Sequence, residues 1–230
     1  MKFFKMWYSR QSDKMKRDVK MLVREGRLEF ANGGWTSTDE SSANYEDMIN
    51  NMIIGHTFLQ SEFGITPRIG WNLDSFGHSS TNARVFADLG FEAQFFARLD
   101  RMDKQQRVKE HAMEYIWRPF SKHFGTQKQI LTSLFQDHYC WIPDFAVNDN
   151  DAFETDPTLA SFNAEEKMVQ FVNYIHEKVL PARRGNTFAL PWGCDFAFYN
   201  ARQNFRDMEA LIQYINENSH VNMKVLMSTP

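Results

Sequence analysis

Apolar residues recur along the chain in blocks that alternate between helical and strand spacing. Phe3, Phe4, Trp7, Met15, Val19, Leu22 and Val23 give one apolar face over residues 2–25, and Gly26 supplies a stop. Residues 27–31 then read as a short strand running into Asn32-Gly33-Gly34. A second helix is predicted from about Asp39 to Phe63, since Tyr45, Met48, Ile49, Met52, Ile53 and Leu59 fall near one stripe and Gly64 closes it. Residues 65–71 form the next apolar run, with a proline tolerated at the start of a strand. Ser79 to Leu89 returns to helical spacing, and residues 91–98 make an apolar strand that ends in Arg98. This order of helix, strand, helix, strand, helix, strand predicts a mainly parallel sheet with helical crossovers.

The later chain is less regular. Residues 113–117 and 129–135 read as strands, and Asp144 to Pro157 as a polar, acidic loop. Its Asp149-Asn150-Asp151 spacing hints at calcium, but the glycine and distal glutamate of an EF-hand loop are missing, so a solvated loop is expected. Asn163 and Glu166 suggest a capping box that opens a helix running through Met168, Phe171 and Ile175. Residues 187–192 read as a strand delivering Gly193-Cys194-Asp195-Phe196, followed by a helix near Met208 to Ile215 and a last strand from Met223 to Met227. Without internal repeats, low-complexity stretches or a clear linker, residues 1–230 are expected to form one domain.

Composition narrows the function classes. The 230 residues are 43% hydrophobic and 24% charged, enough for a sizeable core. A net charge of −3 with pI near 6.2 gives no electrostatic footprint for nucleic acid or an anionic membrane, so no nucleic-acid partner is expected. The 21 Phe and six Trp suit a large core first and a sugar-stacking cleft second. Two cysteines, Cys140 and Cys194, form no CxxC spacing and cannot make a metal cluster alone. The apolar run at the start is broken by Lys5 and passes into an amphipathic pattern, so neither a signal peptide nor a membrane span is expected.

Candidate chemistry sits where strands are expected to end. Gly70-Trp71-Asn72-Leu73-Asp74-Ser75-Phe76-Gly77-His78-Ser79 puts an acid just past an apolar run, where the backbone turns toward a helix. Asp74, Arg98 and Asp195 all follow expected strands, and in a parallel β/α barrel such ends share one face. Two carboxylates flanking a cleft are the working parts of glycoside hydrolysis, one as nucleophile or base and one as proton donor. Arg98 would pair with the Asp74 carboxylate. Each acid could equally be a satisfied loop residue or a helix cap, and spacing alone does not separate these readings.

Five separated segments together resemble the α-mannosidases of glycoside hydrolase family 38, in particular the lysosomal type. They are Gly26 to Trp35, the Asp74 segment, Phe95-Phe96-Ala97-Arg98-Leu99-Asp100, Gly193-Cys194-Asp195-Phe196 and Val225 to Pro230, in the family's order. The resemblance implies an α/β fold, an incomplete parallel β/α barrel lacking its first strand. It implies that Asp74 is both the nucleophile and a zinc ligand, that Asp195 is the acid/base, that Arg98 contacts the nucleophile and that Tyr139 lines a mannose pocket. Mannose-containing glycans would be the substrates, and the lysosome or another acidic vesicle the place of action. His78 is implied to be a structural or helix-start residue rather than a ligand. The Asp39-Glu40 pair reads as a helix start, where the dipole favours acids, and the resemblance implies that a similar pair lies near the sugar site.

The resemblance also marks a departure. The family's other zinc ligands, a His-x-Asp pair and a further His, have no counterpart in residues 1–230, and one carboxylate does not make a zinc site. The chain is therefore expected to be either a partial reading of a longer gene or a truncated product. Two functions follow: an internal piece of a zinc-dependent retaining α-mannosidase, or a non-catalytic remnant that binds a glycan or a partner.

Overall fold

The computed structural model describes residues 1–140, 142 and 152–230; the Asp149-Asn150-Asp151 triplet lies outside them. The chain divides into two compact units, the first built from residues 1–100, 114–134 and 230, the second from 101–113 and 135–229. In the first unit the elements are α1 (Lys2–Tyr8), α2 (Asp13–Arg24), α3 (Tyr45–Phe63), β1 (Ile69–Trp71), α4 (Ser80–Asp88) and β2 (Ala93–Phe96). The second unit contributes α5 (Arg101–Lys109), after which the chain returns to the first for β3 (Glu114–Trp117), α6 (Ser121–Phe124) and β4 (Ile130–Leu134). The second unit is completed by α7 (Ala164–Tyr174), a π-helical turn (Ile175–Val179), a 3₁₀ turn (Leu180–Ala182) and α8 (Ala201–Glu217).

The four strands form one mixed sheet in the order β1-β2-β4-β3. β1, β2 and β4 run parallel, and β3 pairs antiparallel with β4. This agrees with the expected parallel-rich sheet, whose parallel strands must be joined by crossovers such as α4. Met52 of α3, Phe86 of α4, Phe91 and Ile130 are buried together against the sheet. Burial of each such side chain is worth roughly 1.5–3 kcal/mol. Within the sheet, Gln94 Nε2 donates to Thr132 Oγ1 at 3.0 Å, which satisfies two buried polar groups between β2 and β4.

The single helix expected over 2–25 is two. Ser12 adopts extended backbone and its side chain accepts from Met15 N at 3.3 Å, so it starts a new helix rather than continuing the first. Tyr8, Val19, Phe30, Phe58 and Leu59 form the core under α1, α2 and α3, with Phe4 and Phe63 packed on it. The strand expected at 27–31 is absent from the ladder. Asn32 donates its N–H to Ile69 O at 2.7 Å and accepts from Trp71 N through Oδ1 at 3.3 Å, but positive φ at Asn32 and Gly33 (59° and 78°) then turns the chain away from the strand. The turn then meets α3 closely: Trp35 donates to Asn51 O at 2.9 Å, and Gly55 is pressed against the Gly33 carbonyl with no room for a Cβ.

In the second unit Met168, Phe171, Ile175, Val179, Leu211 and Ile215 form the core between α7, its π-helical extension and α8. Neither strand expected here joins a sheet. Phe188, Leu190 and Trp192 pack on that core at every second position, as do Val221, Met223 and Val225, so the alternation is real while ladder partners are lacking among the described residues. Pro191 removes one N–H donor from the first segment. The second is held by the Asn216 side chain, whose Nδ2 donates to Val225 O and whose Oδ1 accepts from Val225 N, both at 2.8 Å. The expected capping box does not form either. The Asn163 amide instead accepts from Glu154 N at 3.0 Å and donates to Ala152 O at 2.9 Å, leaving α7 without a side-chain cap from that residue.

Candidate active site

Asp74 and Arg98 follow the carboxyl ends of β1 and β2, which are adjacent and parallel with Trp71 opposite Phe95. Both side chains therefore emerge from one end of the sheet, the end at which α/β folds place their sites. Arg98 Nε donates to Asp74 Oδ1 at 2.6 Å, and the guanidinium lies over the Phe76 ring, 4.6 Å from its centroid. The pair is partly open to solvent, with side-chain exposures of 36% for Arg98 and 52% for Asp74.

The turn carrying Asp74 is bracketed by the segment from Thr38 to Ser41. Asn72 Nδ2 donates to Thr38 O at 3.1 Å and to Glu40 Oε1 at 2.8 Å, Ser79 N donates to Glu40 Oε2 at 2.8 Å, and Ser41 Oγ donates to Phe76 O at 3.0 Å. His78 Nδ1 lies 3.3 Å from Glu40 Oε1, and its Nε2 lies 2.8 Å from Arg98 O. Its ring is stacked on Phe96 at 3.8 Å. Glu40 and His78 are almost fully buried, with side-chain exposures of 3% and 9%. The Asp39-Glu40 pair thus does not start a helix: α3 begins at Tyr45, and Asp39 closes its own turn by accepting from Ser41 N and Ser42 N. The placement near the sugar site that the family resemblance implies for this pair was the sequence signal that pointed to Glu40.

Asp195 and Tyr139 belong to the second unit. Tyr139 OH donates to Asp195 Oδ1 at 2.9 Å. Asp195 is exposed and follows an irregular segment rather than a strand of the sheet, which corrects the expected strand-end placement; positive φ at Gly193 and Phe196 (152° and 58°) marks the departure from extended backbone. Next to these residues Cys140 and Cys194 form a disulfide with Cα atoms 4.2 Å apart, a pairing that a spacing of 54 residues gave no means to read. Two residues before Tyr139, the Asp137 carboxylate accepts from Tyr174 OH at 2.7 Å and the Asp137 carbonyl accepts from Lys104 Nζ at 2.7 Å. Burial pushes the Lys104 ammonium down to about 8, with the Asp137 charge opposing and Arg183 assisting. Burial, then the bond to Asp137, pushes the Tyr174 hydroxyl well above its ordinary value.

Zinc does not fit the donors described. No three His, Cys, Asp or Glu side chains converge to hold a metal among the described residues. Both His78 nitrogens face Glu40 and Arg98 O rather than Asp74, and both cysteines are spent in the disulfide. Likewise, among the described residues no helix is long and apolar enough to cross a membrane.

The protein class is thus a mixed α/β fold whose parallel-rich sheet presents an acid and an arginine at its carboxyl end. Residues 1–230 match the profile described as glycosyl hydrolases family 38 N-terminal domain, and the chain belongs to that family. It is 38% identical over 230 residues to a lysosomal alpha-mannosidase of Dictyostelium discoideum, covering 99% of this chain and 22% of that protein. A lysosomal alpha-mannosidase of Bos taurus is 36% identical over 239 residues (99% and 24%), and an alpha-mannosidase of Canavalia ensiformis 37% over 236 (100% and 23%). The chain therefore spans less than a quarter of the length of these relatives. The fold is similar to that of a solved alpha-mannosidase from Enterococcus faecalis V583, with a TM-score of 0.62 at 21% identity over 89% of this chain and 20% of that one.

Proposed function

We propose that residues 1–230 carry the reacting carboxylates of a retaining α-mannosidase that removes terminal α-mannosyl units from glycans. In this reading Asp74 attacks the anomeric carbon while Asp195 protonates the departing glycosidic oxygen. Water then attacks the mannosyl–Asp74 ester, giving its proton to Asp195 and releasing mannose with the anomeric configuration retained. Arg98 holds the attacking carboxylate in one orientation, and Tyr139 fixes the Asp195 carboxylate through its hydroxyl while lining the sugar pocket. The observation that carries the reading is the 2.6 Å Arg98–Asp74 pair just beyond adjacent parallel strands, in a chain of this family. Incomplete parallel β/α barrel remains our description of the fold. Zinc enters the reading only through Asp74, the donor that the family resemblance implies among the described residues. The lysosome or another acidic vesicle is the proposed site of action, supported by the lysosomal relatives and by a disulfide of the kind that persists in oxidising compartments.

The test is a hybrid in which residues 1–230 replace their counterpart in the Dictyostelium discoideum lysosomal alpha-mannosidase. Aryl α-mannoside turnover is expected, and Asp74→Asn should lower it by about three orders of magnitude or more. Asp195→Asn should lower it by about 10² to 10⁴ on poor leaving groups and much less on activated ones. Full turnover by Asp74→Asn would refute the nucleophile. A second reading, a non-catalytic glycan-binding remnant, is favoured by one observation, the lack of clustered metal donors among the described residues. It predicts mannoside binding by residues 1–230 and an inactive hybrid.

A further inference from the structure

The acid proposed to attack the sugar sits on a turn and is half exposed, so its orientation must be imposed by neighbours. We propose that Glu40 and His78 are positioning residues that lock the Asp74 turn to the residue carrying the Arg98 guanidinium; this deepens the reading of Asp74 as nucleophile and rests on it. Glu40 meets three groups of the turn: it accepts from Asn72 Nδ2 on one side of Asp74 and from Ser79 N on the other, where His78 Nδ1 also lies 3.3 Å from Oε1. A carboxylate that is 3% exposed is costly to bury unless its lone pairs are satisfied, and these donors satisfy it. The bracket therefore holds both flanks of the turn at fixed separation.

His78 extends the bracket to the neighbouring strand. Its Nε2 donates to the Arg98 carbonyl at 2.8 Å, and stacking on Phe96 fixes the plane of the ring. Both ring nitrogens face oxygen atoms, Nδ1 that of the Glu40 carboxylate and Nε2 that of the Arg98 carbonyl. Arg98 is thus held through its carbonyl by His78 and through Nε by Asp74. A glutamate serving only as an N-terminal acid for α4 would need the Ser79 contact and nothing that reaches Arg98.

The experiment is hydrogen exchange of the Arg98 Nε–H by NMR on the 15N-labelled 230-residue chain. Wild-type protein should show this N–H slowed, His78→Leu should speed it about tenfold, and His78→Gln, whose amide can still donate to the Arg98 carbonyl, should restore it to within about twofold. Glu40→Gln should speed Ser79 amide exchange about tenfold, since no orientation of the amide accepts from both Asn72 Nδ2 and Ser79 N. Unchanged Arg98 exchange in His78→Leu, with the Leu59 and Ile130 methyl signals intact, would overturn the proposal, as would failure of His78→Gln to restore it. Should His78→Leu not fold, Glu40→Gln decides: unaltered Ser79 and Arg98 exchange overturns the bracket. Failure of the mannosidase reading would show separately, as full turnover by Asp74→Asn in the hybrid; the expected Arg98 exchange pattern would then still support the bracket.

Discussion

A half-exposed ion pair contributes little to stability, because solvent screens the attraction and two side chains lose freedom to hold it. Arg98→Met should accordingly change the unfolding free energy by less than about 1 kcal/mol in urea titration, while lowering mannoside turnover in the hybrid by about tenfold or more. A stability loss large enough to explain the turnover loss would return Arg98 to a purely structural role. Lys104 allows a test of the opposite kind. Its folded value near 8 lies below the ordinary 10.5, because burial disfavours the ammonium. Below about pH 8 both states are charged and the full penalty applies. Between about 8 and 10.5 the unfolded chain binds more protons, so stability should rise with pH across that window. Lys104→Met should flatten the rise, measured by denaturation at pH 7.5 and pH 9.5; an unchanged slope would place the titration elsewhere.

At the scale of elements, burial patterns were more legible than hydrogen-bond ladders. β1, β2, β3 and β4 were readable because each is an apolar run bounded by turns, and α3 because Gly64 ends its stripe. The alternation at Phe188, Leu190 and Trp192 was equally clear, yet period two records which side chains face a core and is silent on whether a neighbouring strand exists. The Gly33-Gly34 turn shows how packing sets sequence: α3 lies so close to it that Gly55 has no space for a methyl group. Gly55→Ala should therefore destabilise by about 2–4 kcal/mol, read from the urea midpoint at constant slope. By contrast Ser12→Ala, which removes only the cap of α2, should lose about 1 kcal/mol. Near-equal losses for the two variants would mean that the helix shifts away from the turn at little penalty.

For the whole molecule, the Asp74–Arg98 pair was legible because neighbouring parallel strands bring their ends together by rule. Contacts made through loops were not: Glu40 with His78, and Cys140 with Cys194, join positions that no periodicity relates. The same limit bears on metal binding, since zinc needs three or four donors at fixed geometry and affinity collapses when they are missing. Among the described residues no such group exists, and the one donor implied by family resemblance, Asp74, is bound to Arg98. Residues 1–230 alone should then hold no stoichiometric zinc and hydrolyse no α-mannoside. Exposed apolar side chains, including Phe3, Ile53 and Ile54, should favour self-association as concentration rises. The measurement is elemental analysis after dialysis with an aryl α-mannoside assay on the monodisperse fraction from size exclusion. One tightly held zinc per chain together with turnover would show that the donors come from residues not recognised above, and would make the hybrid unnecessary for activity.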